Sequence, residues 1–413
     1  MLHQANTALT AVLVHDVFSP PVASRVYLYS HIAAYEAMVQ AQPEATYQSL
    51  AASLKNFPII NPPPAAVAID LAGLAAFYYT ADSYVFSEKA WQDSFARALK
   101  PFKNLSVKNK PLYQASLHYG RQVADSIIAW SRTDHYATTR KIKRYSFSKD
   151  PGRWIPTPPA YIAAIEPYWY QMRTLATDSA AQFAPKPITQ TFSSDSNSTF
   201  FKTAYEVYQT GNRLTTEQRA VALFWDCNPF NVNTSGHLLF ATKKLSPGGH
   251  WMNITKLCCE KTNAGLLKSA AAYVSTAIAI YDGFISCWYV KYRDNLVRPE
   301  TFINTHIDAQ WKPLLQTPPF PEYPSGHSVI STAAAVVLTH IFGADFSFAD
   351  NTEVVYGLPV RRFKSFMSAA NEAAISRLYG GIHYREAVAD GQVMGKEIGA
   401  LVIKKINLEK ERK

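Results

Sequence analysis

What is scarce in this chain narrows its class before any motif is considered. Charge is sparse: Asp, Glu, Lys and Arg make up 17% of 413 residues while 48% are apolar. That balance excludes a disordered chain and fits a packed globular protein long enough for one large domain or two. Cysteine is nearly absent. The four residues, Cys227, Cys258, Cys259 and Cys287, lack zinc-type spacing and two are adjacent, so they form no recognisable disulfide framework and leave the compartment unread. Long apolar runs are missing too. AAAYVSTAIAIYDGFISCWYV (270–290) comes nearest but carries Asp282, and VISTAAAVVLTHIFG (329–343) is too short, so no transmembrane span is expected. The amino end, MLHQANTALTAVLVHDVFSPP, has neither a basic n-region nor a small-residue cleavage site. The expectation is export, periplasmic or extracellular, with a signal already removed; a cytoplasmic location is the alternative.

Acidic residues are outnumbered, leaving a net charge of +10. Clusters such as TRKIKRYSFSK (139–149) and RRFK (361–364) read as solvated faces, and the sign favours anionic over cationic substrates. No nucleic-acid-binding motif accompanies the charge, so nucleic acid is not an expected partner.

Alternating strands and short repeats are also lacking, and what remains is helical. Apolar residues recur every three or four positions in SRVYLYSHIAAYEAMVQA, YGRQVADSIIAWSR, STAIAIYDGFISCWYVKYR and FKSFMSAANEAAISRLY. Thr215 with Gln218 has the form of a capping box. The fold class is all-α, built of helical bundles. Two are expected, an amino-terminal scaffold over 1–190 and a carboxyl-terminal bundle over 191–413, with the polar stretch PITQTFSSDSNSTF (187–200) at the seam. Two stiff Pro-rich loops, at 150–169 and 314–327, should cover a core edge or a site mouth.

One helix start stands out in FPEYPSGHSVISTAAAVV (320–337). Pro324, Ser325, Gly326 and His327 precede an apolar helical run, and a helix amino end offers unpaired N–H groups and a positive dipole to an anion. Upstream, Lys291 and Arg298 lie seven residues apart, so on a continuous helix they share one face about two turns, roughly 10 Å, apart. Pro299 disfavours helical geometry at Arg298, which should sit where the helix ends. Downstream, Arg377 precedes a Gly380-Gly381 break and His383 opens another helix, so a change of direction can bring both to one space.

The three segments, in this order and spacing, resemble the signature shared by vanadium-dependent haloperoxidases, type 2 phosphatidic acid phosphatases and bacterial acid phosphatases. The matching residues are Lys291, Arg298, Pro299, Pro324, Ser325, Gly326, His327, Ser376, Arg377, Gly381 and His383. Weaker likenesses in SPPVASRVYLYSHIAAYEAM, WIPTPPAY, FWDCNP and PGGHW point to soluble bacterial haloperoxidases, and the membrane phosphatases would need several spans. The resemblance implies a vanadate cofactor bound at His383, with phosphate competing for the site, and hydrogen peroxide and halide as substrates. Ser325, the Gly326 amide, Lys291, Arg298 and Arg377 would bind the oxyanion. His327 would be the acid–base for peroxide, and Lys291 would polarise it for halide attack. On the phosphatase alternative, a soluble non-specific enzyme, His383 would form a phosphohistidine and His327 would protonate the leaving group. A small organic acceptor of the oxidised halogen is possible on the first reading.

One departure is visible: the signature ends with Asp four residues after the histidine, and here Ala387 occupies that place. Asp390, seven residues after His383, is the nearest carboxylate to orient the ring, with Glu386 behind it. Asp226 in FWDCNP resembles a position that pairs with a site arginine, or it caps a helix. Trp288 and Phe320 stand where an aromatic wall beside the halide is expected, or serve as core. With the usual Asp missing, the expected halide order is iodide, then bromide, with chloride weakest.

Overall fold

A computed structural model describes residues 1–43, 46–187, 192–235 and 238–410. The amino-terminal helices are α1 (Leu2–His15), α2 (Pro20–Gln40), α3 (Ile69–Asp82), α4 (Glu88–Ala98), α5 (Lys103–Lys108), α6 (Lys110–Ser131) and α7 (Tyr136–Thr139). After a Pro-rich segment come α8 (Thr199–Asn212), α9 (Thr216–Phe224), α10 (Pro247–Lys261), α11 (Leu266–Asp294), α12 (Pro299–His306), α13 (Gly326–Phe342), α14 (Phe366–Tyr379) and α15 (Arg385–Lys405). The helical expectation holds at each periodic stretch quoted above. The described strands form two small antiparallel hairpins, β1 (Asn231–Ser235) with β2 (Leu238–Thr242) and β3 (Phe348–Asp350) with β4 (Arg361–Phe363). The capping box is present: Thr215 Oγ1 accepts from the Gln218 amide at 3.2 Å and Gln218 Oε1 from the Thr215 amide at 2.9 Å.

Helix α2 packs on α3, α6 and α11, while α13 is flanked by α11, α14 and α15. One cluster of buried apolar side chains runs from Leu2 to Leu408, joining the helices before and after the Pro-rich segment. The expected seam at 190/191 lies outside the described residues.

Helices α13 and α15 pack extensively against each other, and the sequence shows why. Ala387, Gly391, Gly395 and Gly399 recur every four positions and so form one stripe on α15. A Cβ at Gly395 would lie 2.4 Å from the Val329 carbonyl oxygen, and one at Gly391 would lie 2.9 Å from that of Ser325. Larger residues would push α15 away from the amino end of α13.

Helix α11 is long and apolar enough to cross a membrane by length and composition, yet 94% of its most apolar window is buried within the protein. The buried Asp282 carboxylate accepts from the amides of Leu175, Ala176 and Thr177 at 2.7–2.9 Å, tying the Pro-rich segment to the helix. The two Pro-rich loops also meet. The Ile165 amide donates to Pro319 O at 3.1 Å, and Ile165 O accepts from Trp288 Nε1 and the Tyr292 hydroxyl. They therefore roof the carboxyl end of α11, beside the predicted site.

Candidate active site

Helix α11 ends at Asp294 with Asn295 in left-handed geometry, and Arg298 is the extended residue before α12. The single helical face expected for Lys291 and Arg298 is therefore broken by a turn. Pro299 has the predicted effect on Arg298, whose ψ is 149°. Both cations are fully buried and still approach the same histidine from α11 and from the turn after it.

His383 does not lie on α15; it stands two residues before the helix, after the Gly381 turn. Gly381 has φ +76° and packs against Pro313 and Trp311, so a side chain there would be strained and crowded. The turn presents the ring between two partners. His383 Nδ1 lies 2.7 Å from Glu322 Oε1, and Arg298 Nη1 lies 3.2 Å from His383 Nε2. Because the arginine can only donate, Nε2 carries the lone pair and Nδ1–H donates to Glu322. Burial first, then the neighbouring Arg298 and Lys291, hold His383 well below the usual histidine range, so the ring is neutral.

Glu322 is the carboxylate that sequence reasoning missed. Asp390 does not orient His383: its Oδ2 accepts from the Tyr323 hydroxyl at 2.6 Å. The expectation for Asp390 required His383 to share the α15 helix, and it does not. Glu322 sits in the aperiodic Pro-rich loop, inside the FPEYPSGH stretch itself, where its only sequence signal was an acidic residue among prolines. It also accepts from the Tyr384 amide at 3.0 Å, while burial pushes its carboxyl up to about 7 against the pull of Arg298 and Lys291. Ala387 instead uses its carbonyl, which accepts from the Ser325 amide at 2.9 Å and pins the start of α13.

Ser325 caps α13, its Oγ accepting from the Ser328 amide at 3.3 Å, which leaves its own hydroxyl proton to donate elsewhere. Gly326, His327, Arg377 and His383 line a cavity of about 40 Å³ together with Trp288 and Phe320. A Cβ on Gly326 would meet only Trp288, at 3.8 Å, so glycine there leaves room for a ligand beside the backbone.

Arg377 Nη1 donates to the Trp225 carbonyl and to His327 Nε2, both at 2.8 Å. Burial and then Arg377 keep His327 well below its usual range, so it too is neutral with its Nε2 lone pair toward the arginine. Asp226 forms an ion pair with Lys244 at 2.8 Å and also exerts its field on Arg377. Lys291 Nζ is held by the carbonyls of Pro321, Glu322 and Pro324 at 2.6–3.0 Å, so all three ammonium protons are engaged in shaping the loop that carries Glu322. It is not among the cavity-lining residues. Burial lowers its pKa to about 7.

Trp288 and Phe320 are brought together beside the cavity. They pack at 5.0 Å between ring centroids, Phe284 stands edge-on to Trp288, and the Arg298 guanidinium lies 5.1 Å over the Phe320 ring. The remaining question is what the cations serve. Arg298 Nη2, Arg377 Nε and Arg377 Nη2 are buried without a hydrogen-bond partner among the described residues, and an unpaired buried charge is costly. An oxyanion with several acceptor oxygens would satisfy these donors, with the His383 Nε2 lone pair as ligand. The residues present therefore fit vanadate.

Residues 271–409 match the family model described as the VCPO second helical-bundle domain. Over 100% of this chain and 97% of the other, the structure is similar to that of the first bacterial vanadium-dependent iodoperoxidase, with 45% identity and a TM-score of 0.93. Two structures of bacterial vanadium-dependent chloroperoxidase share the fold at 15% identity. The holo-type has a TM-score of 0.69 over 95% of this chain and 93% of that one, and the apo-type 0.71 over 94% of each. No curated protein sequence matches.

Proposed function

The chain belongs to the vanadium-dependent haloperoxidase family, and from that premise we propose that it oxidises iodide in preference to bromide, with chloride weakest, through a site built on His383, His327 and the buried arginines. It is a haloperoxidase with a vanadate cofactor, using hydrogen peroxide and halide. The observation that carries the site assignment is the neutral His383, oriented by Glu322 at 2.7 Å among buried guanidinium nitrogens that lack partners.

When bound, vanadate supplies a Lewis-acid centre that activates hydrogen peroxide toward halide without a change in metal oxidation state. His383 Nε2 is the ligand atom, and Glu322 keeps the proton on Nδ1 so that this lone pair stays available. Arg298 Nη2, Arg377 Nε and Nη2, the Gly326 amide and the Ser325 hydroxyl hold the oxygens and offset their charge. Lys291 holds the 321–324 carbonyls, and with them Glu322, in place. His327 is the base for the proton of incoming peroxide, a role that requires Arg377 Nη1 to turn from the Nε2 lone pair toward the oxyanion. Trp288, Phe320 and Phe284 exclude water from the side of the cavity where a polarisable halide would approach.

The iodide preference rests on the 45% identity to an iodoperoxidase and on the low oxidative demand of iodide. The missing Asp at Ala387 no longer supports it, because Glu322 supplies the carboxylate. Peroxide-dependent oxidation of iodide, bromide and chloride by vanadate-stripped protein, with and without added vanadate, tests both levels. Vanadate-dependent turnover falling from iodide to chloride is expected. Chloride rates equal to iodide rates would overturn the preference, and absent halide turnover beside fast phosphate-ester hydrolysis would overturn the site's assigned chemistry.

A further inference from the structure

At one wall of the cavity, where Cys227 is itself a lining residue, lies a second group of chemically able side chains that the haloperoxidase reaction does not use. Cys227 follows α9, His250 lies in the first turn of α10, and Glu353 follows β3; all three are buried. Their polar atoms point at one another. Cys227 Sγ is 3.4 Å from His250 Nδ1 and 4.0 Å from Glu353 Oε1, and His250 Nδ1 is 3.3 Å from Glu353 Oε1.

The nitrogen–sulfur distance is ordinary for a hydrogen bond to sulfur, but the nitrogen–oxygen distance is long for one. A charge-assisted imidazole–carboxylate contact is about 2.7–2.9 Å, and one Nδ1–H could serve the sulfur or the carboxylate but not both well. The two contacts of His250 Nδ1 are close to what shared coordination would give, while the 4.0 Å between Cys227 Sγ and Glu353 Oε1 would have to shorten. Tetrahedral bonds of about 2.3 Å to sulfur and 2.0–2.2 Å to nitrogen and oxygen place the donor atoms roughly 3.3–3.6 Å apart. The outer contacts agree. His250 Nε2 is 2.7 Å from Asp350 Oδ2, which fixes the tautomer that presents Nδ1 to a cation, and Asp350 is held in turn by the Thr352 amide at 2.9 Å. Trp225 stacks on the imidazole at 4.5 Å. Independently, Glu353 Oε2 is buried with no hydrogen-bond partner among the described residues, an unexplained polar atom in the same cluster.

We propose that Cys227, His250 and Glu353 form a binding site for a zinc-type divalent cation, separate from the vanadate site at His383. The mixed sulfur, nitrogen and oxygen donors suit zinc or cobalt(II) over magnesium or calcium, which prefer oxygen donors alone. The ion would tie the loop after α9 to α10 and to the β3–β4 connection. Two residues before Cys227, the Trp225 carbonyl holds Arg377 at 2.8 Å, and Arg377 holds His327. The metal therefore acts as a positioning element for one wall of the cavity, not as a redox centre.

The test uses the full chain, freed of metal and vanadate and titrated with cobalt(II) alone. One equivalent is expected to bind with a thiolate-to-cobalt charge-transfer absorption. Cys227→Ser should abolish that absorption and weaken binding at least tenfold, and Glu353→Gln should weaken binding while vanadate is still taken up. His383→Ala should leave the cobalt spectrum unchanged. Failure of the unaltered protein to bind a stoichiometric equivalent would overturn the proposal, as would the same spectrum in Cys227→Ser or loss of cobalt in His383→Ala. If Cys227→Ser does not fold, the thiolate band of the unaltered protein and the Glu353→Gln titration still decide.

Discussion

Glu322 Oε1 and His383 Nδ1 meet at 2.7 Å across 61 positions of sequence, and this contact leaves the His383 lone pair on Nε2. Removing the carboxylate should loosen the ring without removing the ligand. Glu322→Ala is expected to weaken vanadate binding about 10- to 100-fold, the usual cost of losing a partner that orients a metal histidine. Glu322→Gln, which keeps an acceptor oxygen, should lie between. Equilibrium vanadate titration checks both, and unchanged affinity in Glu322→Ala would refute the orienting role.

The two histidines should separate binding from turnover. His383→Ala removes the ligand atom and should abolish tight vanadate uptake. His327→Ala leaves Arg298, Arg377 and His383 in place, so uptake should remain near stoichiometric while peroxide-dependent halide oxidation falls at least 100-fold, within the range of a lost general base. Measuring vanadate stoichiometry beside activity on the same samples decides; equal loss of binding in both would contradict the assignment.

Asp390 provides the contrasting control. It accepts from Tyr323 and has no hydrogen bond to His383, so Asp390→Asn should change vanadate affinity by less than about threefold and cost about 1 kcal/mol of stability for one weakened hydrogen bond. Thermal melting and vanadate titration check the two halves. An affinity loss as large as that of Glu322→Ala would restore Asp390 as the orienting carboxylate.

Far from the site, the buried Glu36 predicts a pH-dependent stability. Burial raises its carboxyl to about 7, despite hydrogen bonds from the Leu50 amide and the Ser49 hydroxyl. A folded-state value above the unfolded one means that the neutral acid is favoured in the fold. Its contribution is present in full below about pH 4.5 and is lost as pH rises through about 7. Glu36→Gln should therefore stabilise the protein at pH 8, by up to about 3 kcal/mol, and change little near pH 4.5. Denaturant unfolding at the two pH values checks the sign, and destabilisation at pH 8 would show that the ionised carboxylate is preferred.

Local chemistry determined much of this protein. Apolar periodicity was enough for the helices, Pro299 for the extended Arg298, Gly381 for the turn before His383, and the order of the three motifs for which residues share a site. Those signals act over a few positions, where backbone sterics and side-chain spacing leave few choices. Tertiary structure decided the partners. Glu322 reaches His383 only because the Pro-rich loop folds over α11 and Lys291 holds its carbonyls. Asp390 lost that role because α15 begins at Arg385, two residues after the histidine it would have served. Cys227, His250 and Glu353 showed no metal spacing because they come from three separate segments. An aperiodic loop carries no pattern that reveals its neighbours, so contacts between distant segments become legible only once the packing of α11, α13 and α15 has placed them.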